Sequence, residues 1–332
     1  MKPDTATPDE YSSIQRFLEE AYGVTRDFFP ARYPSWWGPD TTDFSRICVI
    51  RGQHGEILSL VRVFPLDLQL GPARLTAGGI GAVATAPSAR GRGLMSRVME
   101  FAIARMKEEG FPLSILWGDR HRYSQFGYEN GGRALRLSIG LKGLQRSGIR
   151  TLEPVRCRGE EAELENMAAA YARHPFRRRR GAQESRLIYS RRDLLLHCAG
   201  EGATFGYLIL LGNRARGGVA EFGGDPETVL GLAAGCCQRY GLSELSFPFP
   251  DWENVAEPYR RAANGATGRS AAMLKVLDTG AVLAALNPQC PDRKPPGARQ
   301  LDAWPETRRV EALFGTFSEA PFNVFCWPLD QI

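Results

Sequence analysis

The sequence predicts an α+β protein in which mixed, mostly antiparallel central sheets are flanked by helices. Three observations lead to this class. Helix-like and strand-like apolar periodicities alternate along the chain, the same order of elements recurs faintly in residues 151–277, and a proline-rich stretch follows that repeat. We therefore predict an N-terminal domain at 1–148, a second, degenerate copy at 149–280, and a linker with a docking segment at 281–332.

The first elements follow from their local patterns. Residues 8–22 begin with Pro-Asp-Glu and repeat apolar side chains at helical spacing, which predicts a first helix. An aromatic-rich loop comes next. Strand-like runs at 47–51 and 57–70, split by a glycine turn, then predict a hairpin, and 78–85 is a third strand candidate.

The rest of the first copy contains a long helix and further strands. Apolar residues recur every three or four positions from Leu94 and stop near Gly110, which predicts a helix between them. A strand is predicted at 112–117, a short helical turn at 122–126, and a last pair of strands at 128–141.

The second copy repeats this order with weaker signals. Helices are predicted at 160–173 and 226–240, and strands at 204–212, 218–222 and 243–249. Beyond them we predict a proline-rich linker, a short helix at 308–314, and an apolar tail, FNVFCWPLDQI, that is too hydrophobic to remain in water.

Composition narrows the classes of function. The 332 residues are 43% hydrophobic and 24% charged, as in ordinary globular proteins, and no apolar run approaches the roughly 20 residues that cross a bilayer. The seven cysteines are scattered without C-x-x-C spacing, and the four histidines form no helical pair. We therefore predict a cytoplasmic protein with reduced thiols, no metal and no membrane contact.

The net charge of +5 is mild for this length and argues against nucleic acid as a partner. The densest basic run, Arg177–Arg180, lacks the interleaved aromatic residues of a nucleic-acid site. We predict a solvated loop there, with binding of an anionic substrate or of cofactor phosphates as the alternative.

The chemistry is predicted where a strand leads through a glycine-rich and arginine-rich loop into a helix. Backbone N–H groups at a helix N-terminus bind phosphates, and glycines let the backbone approach them. The loop is Arg90-Gly91-Arg92-Gly93-Leu94-Met95, which fits neither the P-loop nor the dinucleotide-binding pattern.

Residues 85–95 resemble the acetyl-CoA motif of the GNAT superfamily of acyltransferases, Val-x-Pro-x-x-[Arg/Gln]-x-x-Gly-x-[Gly/Ala], and depart from it at Met95. A second motif, Tyr123-Ser124-Gln125-Phe126-Gly127-Tyr128, resembles the Tyr-x-x-x-Gly-[Phe/Tyr] that follows the fifth strand in that family. With the weak second copy, the pattern is similar to the tandem-GNAT enhanced intracellular survival proteins, although too few residues remain for their complete third domain.

The resemblance implies acetyl-CoA as co-substrate and a primary amine of a small molecule or peptide as acceptor, and it leaves a homo-oligomer open. Tyr123 matches the phenol that protonates the departing CoA sulfur, and a backbone N–H of the third strand would meet the oxyanion. The cofactor-binding residues implied are Val83, Ala84, Thr85, Arg90, Gly91, Arg92, Gly93, Leu94 and Met95. The second copy lacks the Arg-x-x-Gly pattern, so we predict that it does not bind CoA.

The general base has three candidates. The resemblance implies the carboxylate of the last residue, Ile332, while Asp119 and Glu129 lie next to the predicted fifth strand and second motif. The aromatic cluster of residues 28–37 is predicted either as core packing or as a wall of the acceptor pocket. The alternatives to N-acetyl transfer are transfer of another acyl or aminoacyl group, and a non-catalytic acyl-CoA sensor.

Overall fold

The N-terminal part of the chain alternates short helices with strands, in a computed structural model that describes residues 1–212, 217–292, 295–316 and 319–331. The helices of this part are α1 (Tyr11–Tyr22), α2 (Phe28–Arg32), α3 (Pro34–Trp37), α4 (Leu94–Glu108), α5 (Arg120–Tyr123) and α6 (Leu141–Arg146). Its strands are β1 (Pro3–Thr5), β2 (Ile47–Arg51), β3 (Ile57–Leu70), β4 (Ala73–Thr85), β5 (Leu113–Leu116) and β6 (Glu129–Gly140).

Part of the remaining chain repeats an order that already occurs in the N-terminal part: a helix, three strands, a helix and a strand. Its helices are α7 (Glu161–Tyr171), α8 (Ala182–Tyr189), α9 (Pro226–Tyr240), α10 (Glu257–Ala262), α11 (Thr279–Leu286), α12 (Ala298–Asp302) and α13 (Glu306–Phe314). Its strands are β7 (Phe176–Arg178), β8 (Leu194–Ala199), β9 (Gly206–Leu211), β10 (Val219–Gly224), β11 (Glu244–Phe249) and β12 (Gly265–Val276). No helix in the described ranges is long and apolar enough to span a bilayer.

The strands form two sheets of the predicted mixed kind. The larger sheet has the order β1-β2-β3-β4-β5-β12-β6-β11, with β7 paired to β3, and the smaller one has the order β10-β9-β8. Strands β4 and β5 are parallel, and the other ladders are antiparallel. The predicted fold class is confirmed.

The larger sheet contains strands from both predicted copies. Strand β12 comes from the second copy but lies between β5 and β6, and β6 of the first copy lies beside β11 of the second. The boundaries at 148 and 280 stay predictions, and any division there must allow for the strands of the second copy, β7, β11 and β12, that join the larger sheet.

Local predictions succeed where the apolar period is regular. The strands at 47–51 and 57–70 and the helix at 226–240 match residue for residue. The predicted pair of strands at 128–141 is wrong, because β6 runs through it as one strand. Its Gly132 has a φ of +68°, and a Cβ there would lie 2.3 Å from the carbonyl oxygen of Val324, so this glycine admits the C-terminal tail instead of making a turn. The elements that were not predicted are strands β1, β7, β8 and β12 and helices α2, α3, α6, α8, α10, α11 and α12, and of these α2 and α3 lie in the predicted aromatic-rich loop.

The prediction of a solvated loop for the basic run is wrong for Arg178 and Arg180, whereas Arg179 is exposed and Arg177 is half-buried. The side chains of Arg178 and Arg180 are buried, and the Nε atom of each donates to Asp330 Oδ1, at 2.8 and 2.7 Å. Arg180 Nη2 donates to Glu221 Oε2 at 2.6 Å. Burial acts to raise the pKa of Asp330, but the two guanidiniums hold it below its usual range. These two arginines therefore stabilise a buried ion-pair network, while Arg179 pairs with Asp67 nearer the surface.

The apolar tail is buried, as predicted. The Trp327 indole N–H donates to the carbonyl oxygen of Phe176 at 2.9 Å, and Asp330 joins the network just described. The buried apolar residues of the tail are Phe322, Val324, Phe325, Trp327 and Leu329. At about 25 cal/mol per Å² of apolar surface, their burial fixes the tail against the sheets.

Candidate active site

The site begins where β4 and β5 separate. Their parallel pairing ends at Ile80 opposite Leu116, and β4 continues to Thr85 beyond it. At this point β4 contains a bulge, because Leu60 pairs with Ala84 and Arg62 pairs with Gly81. Ala82 and Val83 therefore oppose a single residue of β3, and Ala82 has a φ of +51°. A bulge next to an opening between strands turns backbone groups away from the regular ladder.

The predicted cofactor loop follows β4 and opens to solvent. Gly91 and Gly93 have φ of +75° and +69°, and a Cβ at either would meet no atom within 4 Å. Gly93 is the N-cap of α4, a helix of 15 residues whose first turn carries no acidic side chain. The positive end of the helix dipole and its free N–H groups thus face open space, which suits a phosphate.

The side chains of the loop divide into two groups. Arg90 and Arg92 are exposed beside the helix start, whereas Leu94 is buried and Met95 packs against the apolar cluster under α4. Met95, the departure from the family motif, therefore points away from the open face and leaves its backbone available.

An aromatic cavity of about 220 Å³ lies at the opening between β4 and β5. The Tyr22 hydroxyl at its edge donates to the carbonyl oxygen of Val83 at 3.2 Å. The lining residues are Tyr22, Phe29, Tyr33, Trp37, Phe64, Ile80, Gly81, Ala82, Val83, Leu116, Trp117 and Tyr123. Three residues of the predicted aromatic cluster line this cavity, and all of that cluster packs against the core. The predicted core packing is therefore observed, and the role as a wall of the acceptor pocket stays a prediction.

Tyr123 ends α5 and reaches the cavity from the β5 side. Asp119 caps this short helix by accepting from the backbone N–H of His121 at 2.9 Å. A Cβ on Gly118 would lie 2.3 Å from the Tyr123 ring, so glycine is needed there for the ring to occupy its position. Burial raises the pKa of the Tyr123 hydroxyl, and nearby Arg122 opposes that shift. At neutral pH this hydroxyl is a proton donor.

The structure gives structural roles to two of the three candidate bases. Glu129 is buried, and both of its oxygens accept from Arg120 at 2.6 Å. This hydrogen bonding lowers the pKa of Glu129 against the effect of burial, which makes it a poor proton acceptor. Asp119 caps α5. Ile332 lies outside the described residues, and its role stays a prediction.

In the second half of the chain, the strand-to-helix junction from β10 to α9 also lies beside a cavity, but an acidic residue caps its helix. A cavity of about 170 Å³ lies by the end of β10 and the start of α9, and its walls include Phe222, Phe249, Tyr259 and Trp327. Asp225 caps α9 by accepting from the N–H of Thr228 at 2.8 Å. That CoA does not bind here stays a prediction.

One group of metal-ligating side chains comes together within the described part of the chain. The ligand atoms of Cys157, Glu163 and Cys198 lie within 4.8 Å of one another. These residues are far apart in the sequence, so no local spacing pattern indicated that they form a cluster. The absence of a metal stays a prediction.

Sequence reasoning missed two residues of this region. Tyr22 is the last residue of α1 and continues its apolar stripe, and this position was the signal that could have identified it. Arg62 is a cation within the otherwise apolar run 60–66 of β3, which is a second signal.

Residues 2–131 match the family model described as the acetyltransferase (GNAT) domain. The fold is similar to that of a GCN5-related N-acetyltransferase from Kribbella flavida, with 20% identity over 86% of this chain and 73% of that one, at a TM-score of 0.62. It is also similar to a probable N-acyltransferase from Enterococcus faecalis, with 18% identity over 86% and 74% and a TM-score of 0.63. Eis1 from Mycobacterium abscessus has 16% identity over 86% and 76%, with a TM-score of 0.60.

These structural likenesses concern the fold, and they confirm the predicted resemblance to the enhanced intracellular survival proteins at that level. No curated protein sequence is similar enough to match this chain.

Proposed function

We propose that the GNAT acetyltransferase domain formed by residues 2–131 transfers the acetyl group of acetyl-CoA to a primary amine of a small molecule or peptide. One observation carries the proposal. A buried tyrosine hydroxyl and a bulged strand line the same aromatic cavity, and the open helix N-terminus that would hold the CoA diphosphate follows that strand.

The cofactor would bind along this edge of the sheet. Its diphosphate would meet the N–H groups of residues 90–95, and Arg90 and Arg92 would add charge. Its pantetheine arm would follow residues 83–85 as an added strand. The thioester would then lie at the opening between β4 and β5, where Tyr123 lines the cavity.

The reaction is a direct transfer in a ternary complex. The neutral amine attacks the thioester carbonyl carbon, so that a C–N bond forms and the C–S bond breaks. The sulfur takes the proton of the Tyr123 hydroxyl, and the proton lost by the amine returns to the phenolate through water. The Tyr123 hydroxyl is suited to this role because burial keeps it protonated.

A thiol-release assay with acetyl-CoA and a panel of primary amines, read together with product mass, tests the proposal. We expect release of CoA that depends on the amine and an acetylated product. Turnover with longer acyl-CoA donors but not with acetyl-CoA would indicate transfer of another acyl group. Binding of acetyl-CoA without turnover of any amine would indicate a sensor.

A further inference from the structure

Arg62 is a buried cation that the proposed chemistry does not use. It lies on β3 with 1% of its surface exposed, and its Nε and Nη1 atoms have no hydrogen-bond partner within the described residues. Burying a charge without a paired carboxylate is costly, so a cation in this position needs an explanation. Burial lowers the pKa of Arg62 to about 9, which still leaves it charged at neutral pH.

The guanidinium of Arg62 stacks on the wall of the candidate acceptor cavity. Its Cζ atom lies 4.2 Å from the Trp37 ring centroid and 4.9 Å from that of Phe64, and both rings line the cavity. Its backbone partner across the strands, Gly81, also lines the cavity. The positive charge is therefore separated from the cavity by about the thickness of one aromatic ring.

No described carboxylate neutralises this charge from within the cavity, whose lining contains only uncharged side chains. Asp43 is the acid that acts on Arg62, and its Oδ1 already accepts from the N–H and hydroxyl of Ser45. Other cations lie beside cavity residues: Arg122 acts on Tyr123, and the Cζ atoms of Arg32 and Arg191, which both pair with Asp193, lie 5.9 Å from the Tyr33 ring centroid. The described surroundings of the cavity are thus electropositive.

We infer that the cavity selects small amines whose far end is anionic or uncharged and rejects those with a second positive charge, with Arg62 as the specificity-determining residue. The inference rests on the proposed function, since it concerns the acceptor of that reaction. A second ammonium near an unpaired guanidinium is repelled strongly in a poorly solvated site, and a carboxylate is attracted. The volume of about 220 Å³ falls below the roughly 300 Å³ at which pockets for drug-sized ligands begin.

Three acceptors with five carbons each test the inference: δ-aminovalerate, pentylamine and cadaverine carry an anionic, an uncharged and a cationic far end. With saturating acetyl-CoA at one pH, we expect kcat/KM to fall in that order, by about tenfold or more from first to last after correction for the two amines of cadaverine. Equal values, or a preference for cadaverine, would overturn the inference. If no amine is acetylated, the proposed function fails with it, and this outcome is distinct from a wrong order.

Variants of Arg62 test whether this residue causes the expected order of kcat/KM values. Arg62→Met keeps a long side chain against the rings and removes an uncompensated buried charge, so we expect it to fold, and the three kcat/KM values should converge to within about twofold. Arg62→Lys should keep the order. Arg74→Met removes an exposed cation of β4 and should also keep it. An equal change for all three amines in Arg62→Met would show a structural role only and would refute the assignment.

Discussion

Helices α4 and α9 both begin after a strand and lead into a further strand, yet the two helix starts use glycine and charge in opposite ways. At α4, a Cβ on Gly91 or Gly93 would meet no atom within 4 Å, and no acidic residue lies in the first turn. At α9, a Cβ on Gly224 would lie 2.1 Å from the carbonyl oxygen of Phe205, and Asp225 accepts from the helix N–H.

The difference teaches that a strand, a glycine-containing turn and a helix do not by themselves make an anion site. Glycine leaves a surface open at α4, whereas at α9 it permits close packing of backbone. The Asp225 carboxylate and Glu227 in the first turn counter the positive end of α9, and Pro226 removes one of its N–H donors. The start of α4 can accept a ligand, while that of α9 is satisfied by its own chain.

The largest expected effect concerns the charges that hold the tail in the second half of the chain. Asp330→Ala would leave Arg178 and Arg180 buried without one of their carboxylates, and we expect it to lower the free energy of unfolding by about 3–5 kcal/mol. Urea unfolding measures this. Asp67→Ala, which breaks the more exposed pairs with Arg74 and Arg179, should cost much less. Similar losses in the two variants would contradict a structural role specific to the network.

The next prediction tests whether only α4 binds CoA. Gly93→Asp places a carboxylate and a strained backbone at the start of α4, and we expect acetyl-CoA to bind about 100-fold more weakly or not at all. Gly241→Asp is a matched control, because Gly241 also has a left-handed φ and open space around it but follows the end of α9. Calorimetry should give one site per chain for the unaltered protein and for the control, and two equal sites would remove the distinction between the helices.

The third prediction compares one tyrosine from each cavity, Tyr123 and Tyr259. Tyr123→Phe should lower kcat by roughly 100-fold with little change in the acetyl-CoA Kd, because a proton donor acts mainly in the transition state. Tyr259→Phe removes a buried hydroxyl from the second cavity and should leave kcat unchanged. An unaltered kcat in Tyr123→Phe would assign proton donation to another group.

The smallest effect concerns pH and the second cavity. His174 Nε2 lies 2.7 Å from the carbonyl oxygen of Phe222, and burial lowers the pKa of this histidine to about 4. The unfolded chain takes up the proton below about pH 6.5, so the stability that His174 contributes is complete above that pH and is lost as the pH falls toward 4.

We expect this loss to be about 1–2 kcal/mol, measured as the difference between the unaltered protein and His174→Gln in urea unfolding at pH 7 and pH 4.5. Parallel pH profiles for the two proteins would assign the acid sensitivity to other groups.

Much of the candidate site could be predicted because its signals are local. The loop at 90–95 and the motif at 123–128 each lie within a few residues, and their backbone conformations depend on glycines at set positions. Tyr22 and Arg62 were missed because their significance depends on Val83, Trp37 and Phe64, to which no local pattern connects them.

The sequence by itself determined the elements and the apolar surfaces that had to be covered. Regular apolar periods specify strands such as β3 and helices such as α9, since side-chain periodicity follows from backbone geometry. Only the tertiary structure decided that β12 lies between β5 and β6, and that Arg178 and Arg180 meet Asp330 about 150 residues later in the chain. A charged residue can pair with any residue of opposite charge. Its partner is therefore specified only when packing brings one such residue into contact with it and excludes water.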